Sequence, residues 1–339
     1  MRALLFIDDE EGVRRSLVRA LRHEPYRTFT AESGRAGIEF VKAHECGVAT
    51  VISDFRMPGL DGLETLRTIG ALNPEITRII LTGYATMEAA IEATNAGIDG
   101  FLTKPFDNIE LRAKIHDIWV RRHLRQFVCE QVYALLQQTP AALAPRAQEV
   151  TVLFTDIRGF TKMSQVVSPA ELVDYLNNSY FSPMGEIAYR YKGTLDKHIG
   201  DSMMVVFGSP VAQPDDARRA VQAAVEMQAA AQRIDRRLQA GSRLRLQTGI
   251  GIASGRVFSG IMGSRRRKEF TSVGLAVNLA ARLQQIARGG EILMDAETYR
   301  KAGTGEVEAE ALPPVTVKGV DRPVSVYRIA GGGEMPAGG

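Results

Sequence analysis

The feature that most constrains this chain is the alternation in its first third. Apolar runs "ALLFI", "YRTFTA", "VATVIS", "TRIIL" and "GFLT" are separated by "GVRRSLVRALRH", "AGIEFVKA", "LETLRTIGAL" and "MEAAIEATNAG". Short aliphatic and β-branched runs read as strands, and apolar residues at three- and four-residue spacing read as helices. Five strands separated by helices predict a doubly wound parallel sheet with helices on both faces and a ligand site beyond the strand carboxyl ends. The residues expected there are Asp8 and Asp9 after the first strand, Asp54 after the third, Thr82 after the fourth and Lys104 after the fifth. Three carboxylates in one crevice raise each other's pKa unless a cation lies among them, so the pattern predicts a Mg2+ site. A lone acid after a strand is usually a turn residue. Four strand ends carrying acid, acid, hydroxyl and ammonium argue against that reading.

The rest of the chain is long enough for a second core. At 339 residues, 45% hydrophobic and 24% charged, the composition is that of a globular protein of two domains. The net charge of +3 is spread with both signs interspersed, so no nucleic-acid partner is expected. The basic run at Ser264 to Glu269 reads as a solvated loop rather than a binding patch. Cys46 and Cys129 lie far apart without metal spacing, as reduced thiols of a cytoplasmic protein do. No signal peptide opens the chain and no apolar run approaches the roughly 20 residues that span a bilayer, so no membrane association is expected.

Residues 1–121 resemble a two-component response-regulator receiver domain, a flavodoxin-like fold. The resemblance rests on "DDE", "SDFRMPGLDG", "LTGY" and "FLTKPF". It implies that Asp54 accepts a phosphoryl group from a sensor histidine kinase. It further implies that Asp8, Asp9, Asp54 and the Arg56 carbonyl hold Mg2+, that Lys104 contacts the acyl phosphate, and that Thr82 and Phe101 are a switch pair. A phosphoryl group adds about −1.5 to −2 charge and new acceptors, which Lys104 and Thr82 can reach.

From Asp107 to about Gln138 the spacing of Leu111, Ile115, Ile118, Leu124, Val128, Val132 and Leu135 predicts one long helix, opened by Asp107 and Glu110 as a capping box. That helix either folds back on the first domain or pairs with a second copy. Pro140 and Pro145 mark a linker, so residues 107–148 read as signalling helix and linker. Residues 331–339 read as a flexible tail.

The second domain, 149–330, opens with "EVTVLFTDIRGFT". Val150, Val152 and Phe154 alternate onto one strand face, and Asp156 follows in the same phase as either a helix N-cap or a ligand. "SPAE" at Ser168 starts a helix with a Ser cap and Pro at its first position, ending near Gly193 with a possible kink at Pro183. In "GTLDKHIGDSMMVVFG" a hairpin turning at Gly200 and Asp201 sends Leu195, Lys197 and Ile199 to one face and Asp196 and His198 to the other. Lys197 then has no local polar partner, an expensive placement. "LRLQTGIGIASGRVFSG" reads as a strand pair about a glycine-rich turn, and "EFTSVGLAVNLAARLQQIA" as a strand into a helix. Asn278 and Arg282, four apart, share one face of that helix, whose ordinary reading is solvated. "VTVKGVDRPVSVYRIA" closes the domain with a hairpin carrying Lys318.

Together these segments resemble the catalytic domain of class III adenylyl and guanylyl cyclases, of the Thr type, an α+β ferredoxin-like fold. The resemblance implies two Mg2+ or Mn2+ ions held by Asp156, Asp201 and the Ile157 backbone. It implies purine reading by Lys197 and Thr271, transition-state contacts from Asn278 and Arg282, and contact of Lys318 with the terminal phosphates. Lys with a hydroxyl or an acid at these positions goes with ATP in the family, and Glu with Cys goes with GTP. Sites in the family form between two antiparallel domains, which implies a homodimer joined by the cyclase domains and the linker helix. The family commonly has an acid where Leu275 stands, so a structural effect is expected there. The combined expectation is a phosphorylation-regulated adenylate cyclase. The alternatives are a guanylate cyclase and a degenerate cyclase domain serving as a nucleotide-binding or dimerising module.

Overall fold

The structure, a computed structural model, describes residues 2–22, 24, 26–44, 47–83, 96–125, 127–238, 243–303, 308–316 and 323–330. The chain divides into two compact units, Met1–Phe127 and Val128–Gly339.

The first unit holds strands β1 (Arg2–Ile7), β2 (Tyr26–Ala31), β3 (Val48–Asp54), β4 (Thr77–Thr82) and β5 (Gly100–Thr103) in the order β2-β1-β3-β4-β5, all parallel. Helices α1 (Glu11–Ala20), α2 (Gly34–Ala43), α3 (Gly62–Leu72) and α4 (Asn108–Arg125) cover it. The predicted helix "MEAAIEATNAG" lies largely outside the described residues. Strand residues alternate between two cores, as the period of two requires. Leu5, Ile7 and Val51 pack with Leu63, Leu66 and Ile69, while Leu4, Phe6 and Ile52 pack on the other face with Leu17, Leu111 and Ile115. Each such side chain contributes about 1.5–3 kcal/mol on burial. Ser33 and Asp61 cap α2 and α3 by accepting the Ala36 and Glu64 N–H groups at 3.3 and 2.8 Å.

The single long helix expected over 107–138 is instead two. α4 ends at Arg125, and α5 (Glu130–Gln138) begins after Cys129, whose backbone is extended at φ −59°, ψ 141°. No proline or glycine interrupts the sequence here. Tertiary burial decides, because Leu111 and Ile115 sink into the first core while Val132 is buried in the second unit. The expected linker is likewise part of that unit. Leu143 in the short 3-10 turn Pro140–Leu143 is fully buried, and the Gln131 side chain bonds both Thr194 Oγ1 and the Lys192 carbonyl.

The second unit is built on β6 (Arg146–Ile157), which starts ahead of the expected Glu149. It runs in unbroken antiparallel register with β9 (Thr248–Gly263) on one side and pairs β8 (Ser202–Phe207) on the other. With β7 (Thr194–Ile199), β11 (Glu291–Asp295), β12 (Glu310–Val315) and β13 (Val324–Ala330) the sheet reads β12-β13-β11-β9-β6-β8-β7, and β10 (Lys268–Val273) hangs from β9. Short α6 (Phe160–Ser164) follows β6. α7 (Pro169–Asp174), a π-helical stretch Tyr175–Phe181 and α8 (Ser182–Arg190) follow as one run, with Ser168 as the cap. The widened turns precede Pro183, which cannot supply the N–H that an α-helix there needs. These helices and α9 (Asp216–Arg237) pack with Leu153 and Ile157 on one sheet face. α10 (Leu275–Ile286) packs with Val150, Val152 and Phe154 on the other, and α11 (Ala296–Gly303) follows β11.

The strand pair expected at "GIGIASGRVFSG" is the single strand β9. Its glycines do not turn the chain. A Cβ on Gly251 would stand 2.1 Å from the Gln284 amide nitrogen and 2.3 Å from the Ala280 carbonyl oxygen, so glycine there is what lets α10 lie against the sheet.

Candidate active site

In the second unit β6 delivers Asp156 at its end, and the β7–β8 turn delivers Asp201. Gly200, at φ +64°, takes the left-handed position of that two-residue loop as expected. The Ile157 N–H donates to Asp201 Oδ2 at 3.2 Å, anchoring the turn beside the strand end. Burial pushes the Asp156 carboxyl up to about 6, and the charge and hydrogen bond of Asp201 add to it, against Arg158 and the Gln284 side chain. Below about pH 6 the Asp156 carboxyl therefore holds a proton where a cation would otherwise compensate its charge. Among the described residues no three His, Cys, Asp or Glu side chains cluster. Two carboxylates with remaining ligands from backbone, water and substrate phosphate are a donor set that suits Mg2+ or Mn2+.

A second cluster forms on β7 and β10. The expected strict alternation on β7 fails, because a bulge at Asp196 shifts the register between Leu195 and Lys197. Asp196 and Lys197 consequently both reach β10. Lys197 Nζ lies 3.1 Å from Glu269 Oε2 and 3.4 Å from Asp196 Oδ1, which corrects the expectation that it has no local partner. Burial pulls its ammonium down, but the two carboxylates outweigh this and hold it above the usual lysine range. Thr271 Oγ1 bonds Asp196, so the structure brings Lys197 and Thr271 together through a residue that was assigned to the opposite face.

α10 serves both sides. Its inner residues Ala280, Leu283 and Gln284 are buried against the sheet, with Gln284 beside Asp156. Asn278 and Arg282 are exposed on its outer side, where Arg282 Nη1 bonds Gln285 at 2.7 Å. Two helical residues turn through about 200°, so Arg282 points away from what Gln284 touches. Among the described residues, none of the bonds of the Asp156–Asp201 cluster crosses to the Lys197–Thr271 cluster. Lys318 lies outside the described residues. Leu275 opens α10 and is exposed, next to the exposed cross-strand pair Phe258 and Val273.

Three residues at these sites were not flagged from sequence. Arg158 sits 3.6 Å from Asp156 and donates to the Gln284 carbonyl at 2.9 Å, and its only signal was its place in "TDIRGF". Glu269 and Asp196 gave no signal, because a bulge and a strand crossing cannot be read from spacing.

In the first unit Lys104 Nζ lies 2.6 Å from Asp54 Oδ1 and 2.9 Å from Asp8 Oδ2. Burial raises the Asp54 carboxyl despite Lys104, and Asp54 and Asp8 raise Lys104 despite its own burial. The Arg56 N–H donates to Asp54 Oδ2 at 3.2 Å, and the Lys104 N–H donates to the Thr82 carbonyl at 2.8 Å. Asp9 is exposed, so the three carboxylates do not converge equally: Asp8 and Asp54 meet about the ammonium, and Asp9 stands at the rim. Phe101 is half-buried against the core, one strand from the buried Thr82.

Both units are similar to known proteins. The family model "Adenylate and Guanylate cyclase catalytic domain" matches residues 143–331, and "Response regulator receiver domain" matches 4–116. An adenylate cyclase of Anabaena cylindrica is 34% identical over 196 residues, covering 55% of this chain and 38% of that protein. The chain thus spans about two-fifths of the length of the curated relatives it matches. Among solved structures, the guanylyl cyclase Cya2 aligns with a TM-score of 0.53 at 38% identity, covering 56% of this chain and 95% of that one. The adenylyl cyclase CyaB from P. aeruginosa aligns with a TM-score of 0.53 at 36% identity, covering 56% and 96%. Among the described residues no helix is long and apolar enough to cross a membrane.

Proposed function

Because this chain belongs to the adenylate and guanylate cyclase family and carries a receiver domain ahead of its cyclase domain, we propose that it is a phosphorylation-regulated adenylate cyclase, converting ATP to 3′,5′-cyclic AMP and pyrophosphate in a homodimer. The observation that carries the choice of ATP is the Lys197–Asp196–Thr271 array, an ammonium donor beside a bonded hydroxyl. Overall similarity does not separate the two nucleotides, since an adenylyl and a guanylyl cyclase align equally well.

Asp156 and Asp201, with the Ile157 backbone, would hold two Mg2+ or Mn2+ ions, whose charge assists loss of the ribose 3′-hydroxyl proton and neutralises the phosphates. Arg282 offers a fork of donors to charge developing on the α-phosphoryl oxygens, and Asn278 orients the same group. Lys197 and Thr271 read the base, and Lys318 contacts the terminal phosphates. The outward face of α10 supports a shared site. Asn278 and Arg282 turn from their own chain's carboxylates, so a second copy must bring its metal pair to them. In the receiver, Asp54 takes the phosphoryl group from a sensor histidine kinase, with Mg2+ held by Asp8, Asp9, Asp54 and the Arg56 carbonyl. Lys104, freed from Asp54, turns to the new phosphoryl oxygens, and Thr82 and Phe101 carry the change outward.

The test incubates the full chain with ATP or GTP and Mn2+, before and after phosphorylation. Cyclic AMP and pyrophosphate in equal amounts are expected. Preferential cyclic GMP formation would reassign the substrate, and no cyclic product in either state would overturn the enzyme reading.

A further inference from the structure

Asp196 is an unusual residue to find between two base-reading side chains. It is the bulged residue of β7, and its side chain is only 3% exposed. Its Oδ1 and Oδ2 accept from Thr271 Oγ1 at 3.1 and 2.9 Å, and Oδ2 accepts the Ser272 N–H at 3.3 Å. Lys197 Nζ stands 3.4 Å from Oδ1 and 3.1 Å from Glu269 on its other side. An ionised carboxylate can only accept, so the hydrogen in the Thr271 contact belongs to the hydroxyl. That fixes a group which is otherwise free to donate or accept.

The consequence is a polarity. A threonine hydroxyl has one proton and two lone pairs, so once the proton is committed to Asp196 the oxygen can only accept from a ligand. Lys197 can only donate. The pair thus presents donor and acceptor to a purine edge. Adenine answers with an acceptor at N1 and a donor at its exocyclic amino group, whereas guanine carries a donor at N1 and an acceptor at O6. Guanine therefore sets its N1–H donor against the Lys197 ammonium in either case, while its O6 can accept from Thr271 only if the hydroxyl proton is free and meets a second acceptor there when that proton is committed to Asp196.

We infer that Asp196 is a positioning residue that sets the purine preference, holding the Thr271 hydroxyl as an acceptor for the adenine amino group and denying guanine O6 a donor. The inference rests on the reading that Lys197 and Thr271 face the base. A site with a committed hydrogen-bond polarity rejects the wrong partner far more strongly than a site of matching size alone.

The test compares kcat/KM for ATP and for GTP, with Mn2+, in the full chain. Asp196→Asn places an amide that can donate to Thr271 Oγ1 and release its proton, and Asp196→Ala releases it without a new donor. Both are expected to lower the ATP-to-GTP ratio at least tenfold, chiefly through a gain with GTP, with thermal melts reporting that the variants fold. In a Thr271→Val background the Asp196→Asn substitution is expected to leave the ratio unmoved. A folded Asp196 variant that keeps the ratio within twofold, or loses both nucleotides equally, overturns the inference while the ATP reading stands. Thr271→Val retaining the wild-type ratio overturns it whether or not the Asp196 variants fold. Wild-type protein that prefers GTP or makes no cyclic nucleotide overturns the ATP reading itself, and the inference with it.

Discussion

The carboxyls of Asp156 and Asp201, one at the end of β6 and the other in the β7–β8 turn, are hydrogen-bonded to each other. Burial first and Asp201 second raise Asp156 from 3.8 to about 6. The folded chain therefore holds a proton between about pH 4 and pH 6 that the unfolded chain has lost. This stabilisation is complete below the unfolded value and disappears as pH rises through about 6. At about 1.4 kcal/mol per unit the effect has an upper bound near 3 kcal/mol. In metal-free buffer, wild-type stability should fall more steeply from pH 4 to 7 than that of Asp156→Asn. Denaturant unfolding at several pH values measures it, and parallel profiles would disprove the coupling.

A divalent cation competes with that proton. Mn2+ should raise the melting temperature more at pH 7 than at pH 5, because binding to the folded state stabilises by mass action and needs the deprotonated acids. Asp201→Asn should lose most of the increment at both pH values. An equal increment in wild type and variant would place the ion elsewhere.

Lys104 joins Asp8 and Asp54, two acids that are nearly buried. Lys104→Met leaves them facing each other without a counter-charge, at a cost of about 3–5 kcal/mol near pH 7. The deficit should shrink on acidification as Asp54, whose carboxyl burial already raises, gains a proton, and calorimetry at pH 5 and 7 tests this. In the same unit Asp54→Asn should abolish labelling by a small acyl phosphodonor. Undiminished labelling would exclude Asp54 as the acceptor.

Shared sites predict complementation. Asp156→Ala and Asn278→Ala proteins, each inactive alone, should form cyclic AMP when mixed, up to about a quarter of wild-type activity if subunits exchange at random and half the dimers are mixed with one intact site each. Mixed dimers that are demonstrably formed yet silent would confine each site to a single chain.

Gly251 predicts a packing limit. A methyl group there meets only backbone atoms of α10, which cannot move aside as a flexible side chain would. Gly251→Ala should cost at least about 3 kcal/mol or displace the helix. Unfolding in urea reports the first outcome, and loss of activity with retained fold reports the second.

The strand-end residues of the receiver were legible because a parallel βα repeat has only one end at which Asp8, Asp54, Thr82 and Lys104 can gather. Val150, Val152 and Phe154 likewise placed Asp156 correctly, since β6 keeps its register to the last residue. Three features were not legible. Glycines at Gly249, Gly251 and Gly255 look like a turn, whereas in the strand Gly251 makes room for the backbone of α10 and Gly249 for the Arg158 guanidinium. The break after Arg125 arises from two cores pulling on one apolar stripe, which local propensity does not encode. The bulge at Asp196 reversed the facing of one side chain, and with it the partner of Lys197 and Thr271.

α10 touches its own chain's Asp156 through Gln284 on one side and carries Arg282 on the other. A helix of this length is a stiff lever. In the proposed symmetric pair, a tilt that draws Arg282 toward a nucleotide held by the neighbour would shift Gln284 against the acid at home. Turnover at the two sites of a dimer would then be correlated in time, with product release at one setting the geometry available to the other.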